Sequence, residues 1–373
     1  LDVRDGWLYV AETSAIGRVR LGADEGHLQG DYERIVTGLP EGGNHWTRTI
    51  RFGPDGKLYA TVGSSCNACF EKDPRRAAML RFEPDGSGGR IWASGLRNSV
   101  DFDWRPETGD LYATDNGRDL LGDDEPPCEL NRIVEGGFYG WPIANGDRVA
   151  DPDHGEGRSP GIARSLPPVH GFRPHTAPLG IAFLRDPRWP DEYRGAAVVA
   201  LHGSWNRTKK IGYEVVTLHW NADGTIEERK LLTGLLENED VIGRPVGVAE
   251  GPDGAVYVSD DYAGLIYRIG RGESAAEPAR RRRGSERAGT GALDPRAVAR
   301  GRDLFAAKEC AVCHDPVTKL QGMVARPLAG LSNRYTVATL ASFLDAPTPP
   351  MPRVGLDEAE RSDLAAYLLA TFP

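Results

Sequence analysis

One phrase recurs along this chain and restricts its fold more than any other feature. It is a turn ending in glycine, then a short strand built on tyrosine or an aliphatic residue, then small or acidic residues. It runs through Asp5-Gly6-Trp7-Leu8-Tyr9-Val10, Asp55-Gly56-Lys57-Leu58-Tyr59-Ala60, Thr108-Gly109-Asp110-Leu111-Tyr112-Ala113 and Asp253-Gly254-Ala255-Val256-Tyr257-Val258, with a weaker copy at Tyr193-Arg194-Gly195-Ala196-Ala197-Val198. An arginine-bearing strand follows several copies, as in Gly17-Arg18-Val19-Arg20, Met79-Leu80-Arg81-Phe82 and Leu265-Ile266-Tyr267-Arg268. Short strands between such turns, repeated every 40–50 residues or so, are the mark of β-propeller blades. Five copies predict five blades, where an irregular β-sandwich would show no such period. The chain has no initiator Met and opens inside a strand pattern, so an N-terminal truncation is expected, and an upstream blade would make six. A signal peptide is missing from this sequence for the same reason.

At 373 residues the chain is too long for one ordinary domain. Residues 271–293 hold almost no large apolar side chain and include Arg280-Arg281-Arg282-Arg283, which reads as a solvated linker. Residues 294–373 change to a helical pattern. Asp294-Pro295 starts the first helix, a second fits Thr336 to Leu344, and a third fits Asp357 to Ala370, with Leu364, Tyr367 and Leu368 on its apolar side. The division is therefore a propeller over 1–270, a linker over 271–293 and a small all-α domain over 294–373.

The small domain contains Cys310-Ala311-Val312-Cys313-His314. Two cysteines at this spacing attach a haem edge through thioethers, and the adjacent His314 binds the iron, so the segment predicts covalent haem c. Among the three methionines, Met79 falls in a propeller strand. Met351, in Pro349-Pro350-Met351-Pro352, is the expected second axial ligand in preference to Met323, because the prolines hold its thioether rigidly and Met/His ligation raises the haem potential. Cys66 and Cys69 share the spacing but lack the histidine. They read as a small disulfide, as free thiols or, least of all, as part of a zinc site, and Cys128 reads as a free thiol or as a partner for one of them.

A net charge of −9 argues against a nucleic-acid partner, and no apolar run is long enough to span a bilayer. Polar clusters fall in the expected loops: His45 after Gly42-Gly43-Asn44, Arg97-Asn98, Asp115-Asn116-Gly117-Arg118-Asp119, His202-Gly203-Ser204-Trp205-Asn206-Arg207 before Lys209-Lys210, and Arg244. Propellers gather such loops at one mouth, and a mouth lined by Arg and Lys suits a cofactor bearing carboxylates.

Several of these stretches carry a resemblance. Phe52-Gly53-Pro54-Asp55-Gly56, Gly95-Leu96-Arg97-Asn98-Ser99-Val100, Thr114-Asp115-Asn116-Gly117-Arg118-Asp119, Glu129-Leu130-Asn131-Arg132, His202-Gly203-Ser204-Trp205-Asn206-Arg207 and Gly243-Arg244-Pro245-Val246 resemble the glucose/sorbosone dehydrogenase family of quinoprotein propellers. The C-terminal segment resembles class I cytochromes c through Gly301, Phe305, the haem motif, Arg326-Pro327-Leu328, Pro350-Met351-Pro352 and Tyr367. The cytochrome resemblance implies that Gly301 lets the terminal helices cross closely and that the Pro327 carbonyl orients His314. The propeller resemblance implies six blades and pyrroloquinoline quinone (PQQ) over the mouth with Ca²⁺. It implies His45 as catalytic base and Arg97 and Asn98 beside the reactive carbonyl. Arg207, Lys209, Lys210 and Arg244 would hold the cofactor carboxylates, and the backbone carbonyls of Gly117 and Arg118 the calcium. Val100 departs from the glucose dehydrogenases, which place a glutamine there. The expected activity is quinone-dependent oxidation of a sugar or related polyol or aldehyde, with electrons passing through the haem to an external acceptor in the respiratory chain, in a periplasmic or otherwise exported protein. The rival readings are a metal-dependent hydrolase of the propeller lactonase kind, using carboxylates such as Asp123, Asp124 and Glu129, and a binding propeller with no activity of its own.

Overall fold

A computed structural model describes residues 1–22, 26–270, 293–308, 310–314, 328, 331–333, 335–345, 347 and 354–372. The chain divides into two compact units, Leu1–Glu273 and Ser274–Pro373. Most of the expected linker lies outside the described residues.

The first unit is a propeller of five antiparallel sheets, each taken from consecutive chain. The first holds β1 (Asp2–Arg4), β2 (Trp7–Ala11), β3 (Ala15–Leu21) and β4 (Leu28–Thr37), and the second β5 (Ile50–Phe52), β6 (Leu58–Val62), β7 (Ala78–Phe82) and β8 (Arg90–Ser94). The third holds β9 (Ser99–Trp104), β10 (Leu111–Asp115) and β11 (Cys128–Ile133). A long excursion then carries the ribbon β12 (Ala144–Asn145) and β13 (Val149–Ala150) and helix α1 (Ser159–Arg164), before β14 (His170–Phe172) completes that sheet on β11. The fourth holds β15 (Pro178–Phe183), β16 (Ala197–Leu201), β17 (Glu214–Trp220) and β18 (Ile226–Leu232). After the ribbon β19 (Leu236–Glu237) and β20 (Asp240–Val241), the fifth holds three strands: β21 (Pro245–Glu250), β22 (Val256–Asp260) and β23 (Leu265–Ile269). The expectation of six blades is corrected to five for this chain. Each blade uses one copy of the repeated phrase, and the sequence contains five.

The phrase has a structural reason. In every copy the strand that follows the turn is the second of its sheet, and the turn glycine (Gly6, Gly56, Gly109, Gly195, Gly254) has φ between 66° and 78°. That left-handed backbone costs glycine nothing and other residues a Cβ clash. In three blades the arginine of the third strand returns to the aspartate of this turn, with Arg81–Asp55 at 2.9 Å, Arg132–Asp110 at 3.0 Å and Arg268–Asp253 at 2.7 Å.

Neighbouring sheets share four apolar layers. Ile16, Ile50 and Leu58 join blades one and two; Met79, Phe102 and Leu111 join two and three; Leu130, Phe183 and Val199 join three and four; Val198, Val215 and Val256 join four and five. Strands β6, β10 and β16 are buried along their whole length, whereas the outer strand β4 is mostly exposed. Carboxylates stitch the first strands together: Asp2 accepts from Phe52 N at 2.7 Å, Asp101 from Ile181 N at 3.1 Å, and Asp103 from Phe183 N at 2.8 Å.

The second unit contains α2 (Pro295–Ala307), α3 (Ala311–His314), α4 (Val337–Asp345) and α5 (Glu358–Thr371). Asp294 caps α2 by accepting from Arg296 N, and Asp357 with Glu360 forms a capping box on α5. Gly301 is buried where α2 meets α5, and a Cβ there would stand 2.1 Å from the Asp363 carbonyl oxygen. Among the described residues no helix is long and apolar enough to cross a membrane.

Asp101 joins three blades, since it also pairs with Arg51 at 2.7 Å. Asp101→Ala leaves the Ile181 N–H without its acceptor and the Arg51 guanidinium without its carboxylate, keeping only the Ile181 carbonyl at 3.3 Å. A loss of about 3 kcal/mol is expected, read as a lower urea midpoint for the propeller; an unchanged midpoint would show that the stitch is dispensable.

Candidate active site

In an antiparallel blade, the chain entering strand one and the chain leaving strand two lie at the same edge. The Asp-Gly turns therefore sit at one end of the propeller, and the loops between blades and between second and third strands sit at the other. That second end contains a cavity of about 210 Å³ lined by His45, Arg97, Asn98, Asn116, Gly117, Asp119, Cys128, His175, Ala177, Trp205 and Asn206. Of the residues expected from sequence, it brings together His45, Arg97, Asn98 and Gly117.

His45 lies between β4 and β5. Its Nδ1 is 3.0 Å from the Ser64 carbonyl oxygen and 2.9 Å from Ser64 Oγ, and that hydroxyl donates onward to the Cys66 carbonyl at 2.7 Å. Both Ser64 atoms are thus acceptors toward the ring, which assigns the proton to Nδ1. Nε2 keeps its lone pair and has no partner among the described residues. Burial, then the positive charge of Arg97, holds the imidazole down at about 4. The ring is neutral at ordinary pH.

Arg97 is buried and spends its fork on backbone and side chains: Nε donates to Asn67 O at 2.9 Å, Nη1 to Asn116 O at 3.1 Å, and Nη2 to Asn67 Oδ1 at 2.9 Å and Asp119 at 2.8 Å. Four of its five N–H groups are used, leaving one on Nη1. Asn98 N donates to Asp115 Oδ1 at 2.8 Å. Burial pushes Asp115 up to about 7, and burial with the Asp115 charge pushes its neighbour Glu129 up to about 8.

Gly117 cannot carry a side chain, because a Cβ would stand 2.6 Å from the Pro127 carbonyl oxygen. Arg118 turns its side chain away to Asp151 at 2.7 Å and Asp153 at 2.9 Å. Arg207, Lys209 and Lys210, expected to hold the cofactor carboxylates, are not among the residues that line the cavity. Arg207 Nη1 donates to the Asp123 backbone carbonyl and Nη2 meets the Asp124 carboxylate at 3.4 Å, while Lys210 Nζ donates to the Glu239 backbone carbonyl and Lys210 N to the Glu239 carboxylate at 2.9 Å. Arg244 does not line the cavity either. It meets His202 Nδ1 at 3.0 Å while His202 Nε2 meets Asp261 at 3.1 Å, and Arg244 Nε is buried without a partner.

Sequence reasoning missed His175, Cys128 and the ligating capacity of Asn116 and Asn206. His175 is buried with φ of 66° and contacts the Gly122 carbonyl at 2.8 Å. Nothing local marks it. Asn116 and Asn206 each bury an unpartnered Oδ1, and both stood inside quoted motifs. Cys66 and Cys69 form a disulfide, so their sulfurs are not open to zinc, and Cys128 is a free buried thiol.

In the second unit, Cys310 and His314 occupy one wall of an apolar cavity of about 170 Å³, faced by Phe305, Leu331, Leu340, Leu364 and Leu368. His314 N bonds to the Cys310 carbonyl at 3.2 Å, so one helical turn sets both side chains on one face. Phe305 packs on Tyr367 with ring centroids 5.5 Å apart. The side chain of Cys313, and Met323, Arg326, Pro327 and Met351, lie outside the described residues.

The family profile for glucose/sorbosone dehydrogenase matches residues 8–268, and that for cytochrome c matches residues 298–372. An uncharacterised protein of Borreliella burgdorferi is 33% identical over 217 residues, 57% of each chain. A PQQ-dependent pyranose dehydrogenase of Coprinopsis cinerea is 27% identical over an alignment covering 64% of this chain and 41% of that one. The matched stretches thus span about half the length of these curated relatives. In fold, the chain is similar to a carbohydrate-active enzyme of family AA12 from Trichoderma reesei (TM-score 0.62, 20% identity, 71% of this chain and 78% of that one). It is likewise similar to the PQQ domain of the Coprinopsis cinerea pyranose dehydrogenase (TM-score 0.59, 22% identity, 70% and 78%).

The depressed His45 pKa has a stability consequence. The unfolded imidazole titrates near 6.5 and the folded one at about 4, so between those values the unfolded state holds the extra proton and stability falls as pH falls. His45→Gln removes that contribution. Its urea midpoint should gain on the wild type between pH 7 and pH 4; a constant difference would contradict a depressed pKa.

Proposed function

The chain belongs to the glucose/sorbosone dehydrogenase family and carries a cytochrome c domain after its propeller in the sequence, and from that premise we propose that it oxidises a sugar or a related polyol or aldehyde with PQQ and passes the electrons to a covalently bound haem c. The observation that carries this reading is the meeting, at one cavity, of an imidazole with a free Nε2 and a buried guanidinium with one unspent N–H.

The residues present fit the implied groups. Asn98 and the spare N–H of Arg97 suit a quinone oxygen, and Arg244, with its unpartnered Nε, suits a carboxylate. The unpartnered Oδ1 atoms of Asn116 and Asn206, with backbone carbonyls at Gly117 and Arg118, are the hard oxygen donors that Ca²⁺ takes. The apolar cavity beside Cys310 and His314 suits a porphyrin. When bound, the quinone supplies a two-electron acceptor, calcium a Lewis acid beside it, and the haem a one-electron outlet. His45 accepts the substrate hydroxyl proton at Nε2, and the Ser64 carbonyl stabilises the resulting imidazolium through Nδ1–H. Arg97 holds a fixed positive charge where negative charge develops. The pyranose dehydrogenase relative points to a sugar ring as substrate. Met351 is proposed as the second axial ligand, with export and a respiratory acceptor for the electrons.

The hydrolase reading is less well supported. The Asp123 carboxylate accepts from Thr208 N, Asp124 pairs with Arg207, and Glu129 accepts from Asn131 and Gly146, and none of the three lines the cavity with His45.

Two measurements test the reading. In protein reconstituted with PQQ and Ca²⁺, adding aldoses should reduce the haem. His45→Ala should slow this by about 10²–10⁴-fold while leaving reduction by dithionite intact. A variant that keeps the full sugar-driven rate would exclude His45 as the base. Met351→Ala should lower the haem potential; if Met323→Ala does so instead, the axial assignment moves to Met323.

A further inference from the structure

Between β6 and β7 the chain forms a four-residue loop, Cys66-Asn67-Ala68-Cys69, closed by the Cys66–Cys69 disulfide. Its centre, Asn67, makes five hydrogen bonds. The backbone oxygen accepts from Arg97 Nε at 2.9 Å and from Trp141 Nε1 at 3.2 Å. The side-chain oxygen accepts from Arg97 Nη2 at 2.9 Å and from Asp119 N at 2.8 Å, and Nδ2 donates to Asp119 O at 3.0 Å. On either side, Cys66 O accepts from Ser64 Oγ, which touches the His45 ring, and Ala68 O meets His154 Nε2 at 3.1 Å.

We propose that Asn67, held by the Cys66–Cys69 disulfide, is the positioning residue that fixes the Arg97 guanidinium against the cavity and keeps its charge available there. The proposal rests on the reading of Arg97 as the cation that faces the cofactor. The geometry explains why a neutral residue is used. Arg97 offers an Nε/Nη2 fork, which a carboxylate ordinarily fills. Asn67 fills it with two neutral oxygens, one from the main chain and one from the side chain, so the plane is fixed with Asp119 as the one carboxylate bonded to the guanidinium. Asp119 supplies one carboxylate contact, from its own side of Nη2. The grip demands that the Asn67 backbone and side chain present both oxygens in one direction. A two-residue span between bonded cysteines has little freedom to do otherwise.

The test uses the apo chain, so it does not depend on turnover. Three guanidinium groups influence the His45 ring: Arg97 most strongly, then Arg76 and Arg48. Asn67→Ala, and separately Cys66→Ser with Cys69→Ser, are compared with wild type by ¹H–¹³C NMR titration of the ring, assigned with His45→Gln. In the wild type the ring should titrate at about 4, held down first by burial and then by Arg97; in both variants it should move part of the way up toward the ordinary imidazole range as the Arg97 charge moves away. PQQ binding to the apo chain, followed by tryptophan quenching, should weaken about tenfold or more through the loss of a charge-assisted contact. A wild-type titration and wild-type PQQ affinity in both variants overturn the proposal. A shift in Asn67→Ala alone supports Asn67 and overturns the role of the disulfide. If Asn67→Ala fails to fold by near-ultraviolet circular dichroism, the serine pair, which leaves Asn67 in place, decides. Failure of the wild type to bind PQQ would sink the functional reading, while the His45 titration would still judge the clamp.

Discussion

The propeller depends on how each sheet disposes of its two faces and its inner edge. A blade is apolar on both sides, as the complete burial of β6, β10 and β16 shows. Alone it would leave both faces in water, so a blade is stable only between neighbours. The inner edge raises a separate difficulty, because the first strand of each sheet has backbone N–H groups with no further strand to receive them. Carboxylates from adjacent blades take that role: Asp2 toward Phe52, Asp101 toward Ile181, Asp103 toward Phe183 and Glu250 toward Arg185. Burial supplies most of the stability, and the carboxylates set the register between blades.

That arrangement leaves one end of the propeller free for chemistry. The Asp-Gly turns are short and tied by arginines, so they have no length to build a site. The opposite end holds the longer loops, and there the charged groups are arranged to stay charged or neutral as needed. His45 is kept neutral by burial and by Arg97; burial lowers the Arg97 pKa and the Asp119 carboxylate opposes that fall, while neutral oxygens fill its fork. A base without its proton beside a fixed cation is what proton abstraction from a hydroxyl requires.

Several elements were legible before any coordinates. The repeated phrase led to five second strands, Asp294 led to the start of α2, and Asp357 with the apolar periodicity led to α5 within a residue of its ends. His45, Arg97, Asn98 and Gly117 were found through a resemblance and do share one cavity. Sequence could not show that Arg207, Lys209 and Lys210 stand outside the lining of that cavity, because a cation facing a site and one turned to another loop look alike in sequence; only tertiary contacts such as Arg207 with Asp124 distinguish them. His175 belongs to no pattern, and Asn67 sits inside the Cys66–Cys69 spacing without marking itself, because each matters through partners far along the chain.

Local chemistry determined what could be read directly: glycine where φ must be positive, a helix cap where N–H groups need an acceptor, and Cys-x-x-Cys-His where two thioethers and an axial ligand must fall on one helical turn. These constraints act over a few residues, so a few residues reveal them. The tertiary structure decided the rest. It chose which of many polar loops meet, which arginine faces the cavity and which is spent on an acid, and which nitrogen of His45 carries the proton. Those outcomes depend on distances between residues separated by tens of positions, such as Asn67 and Asp119 or Asp101 and Ile181. Burial and hydrogen-bond direction exist only once the blades have packed.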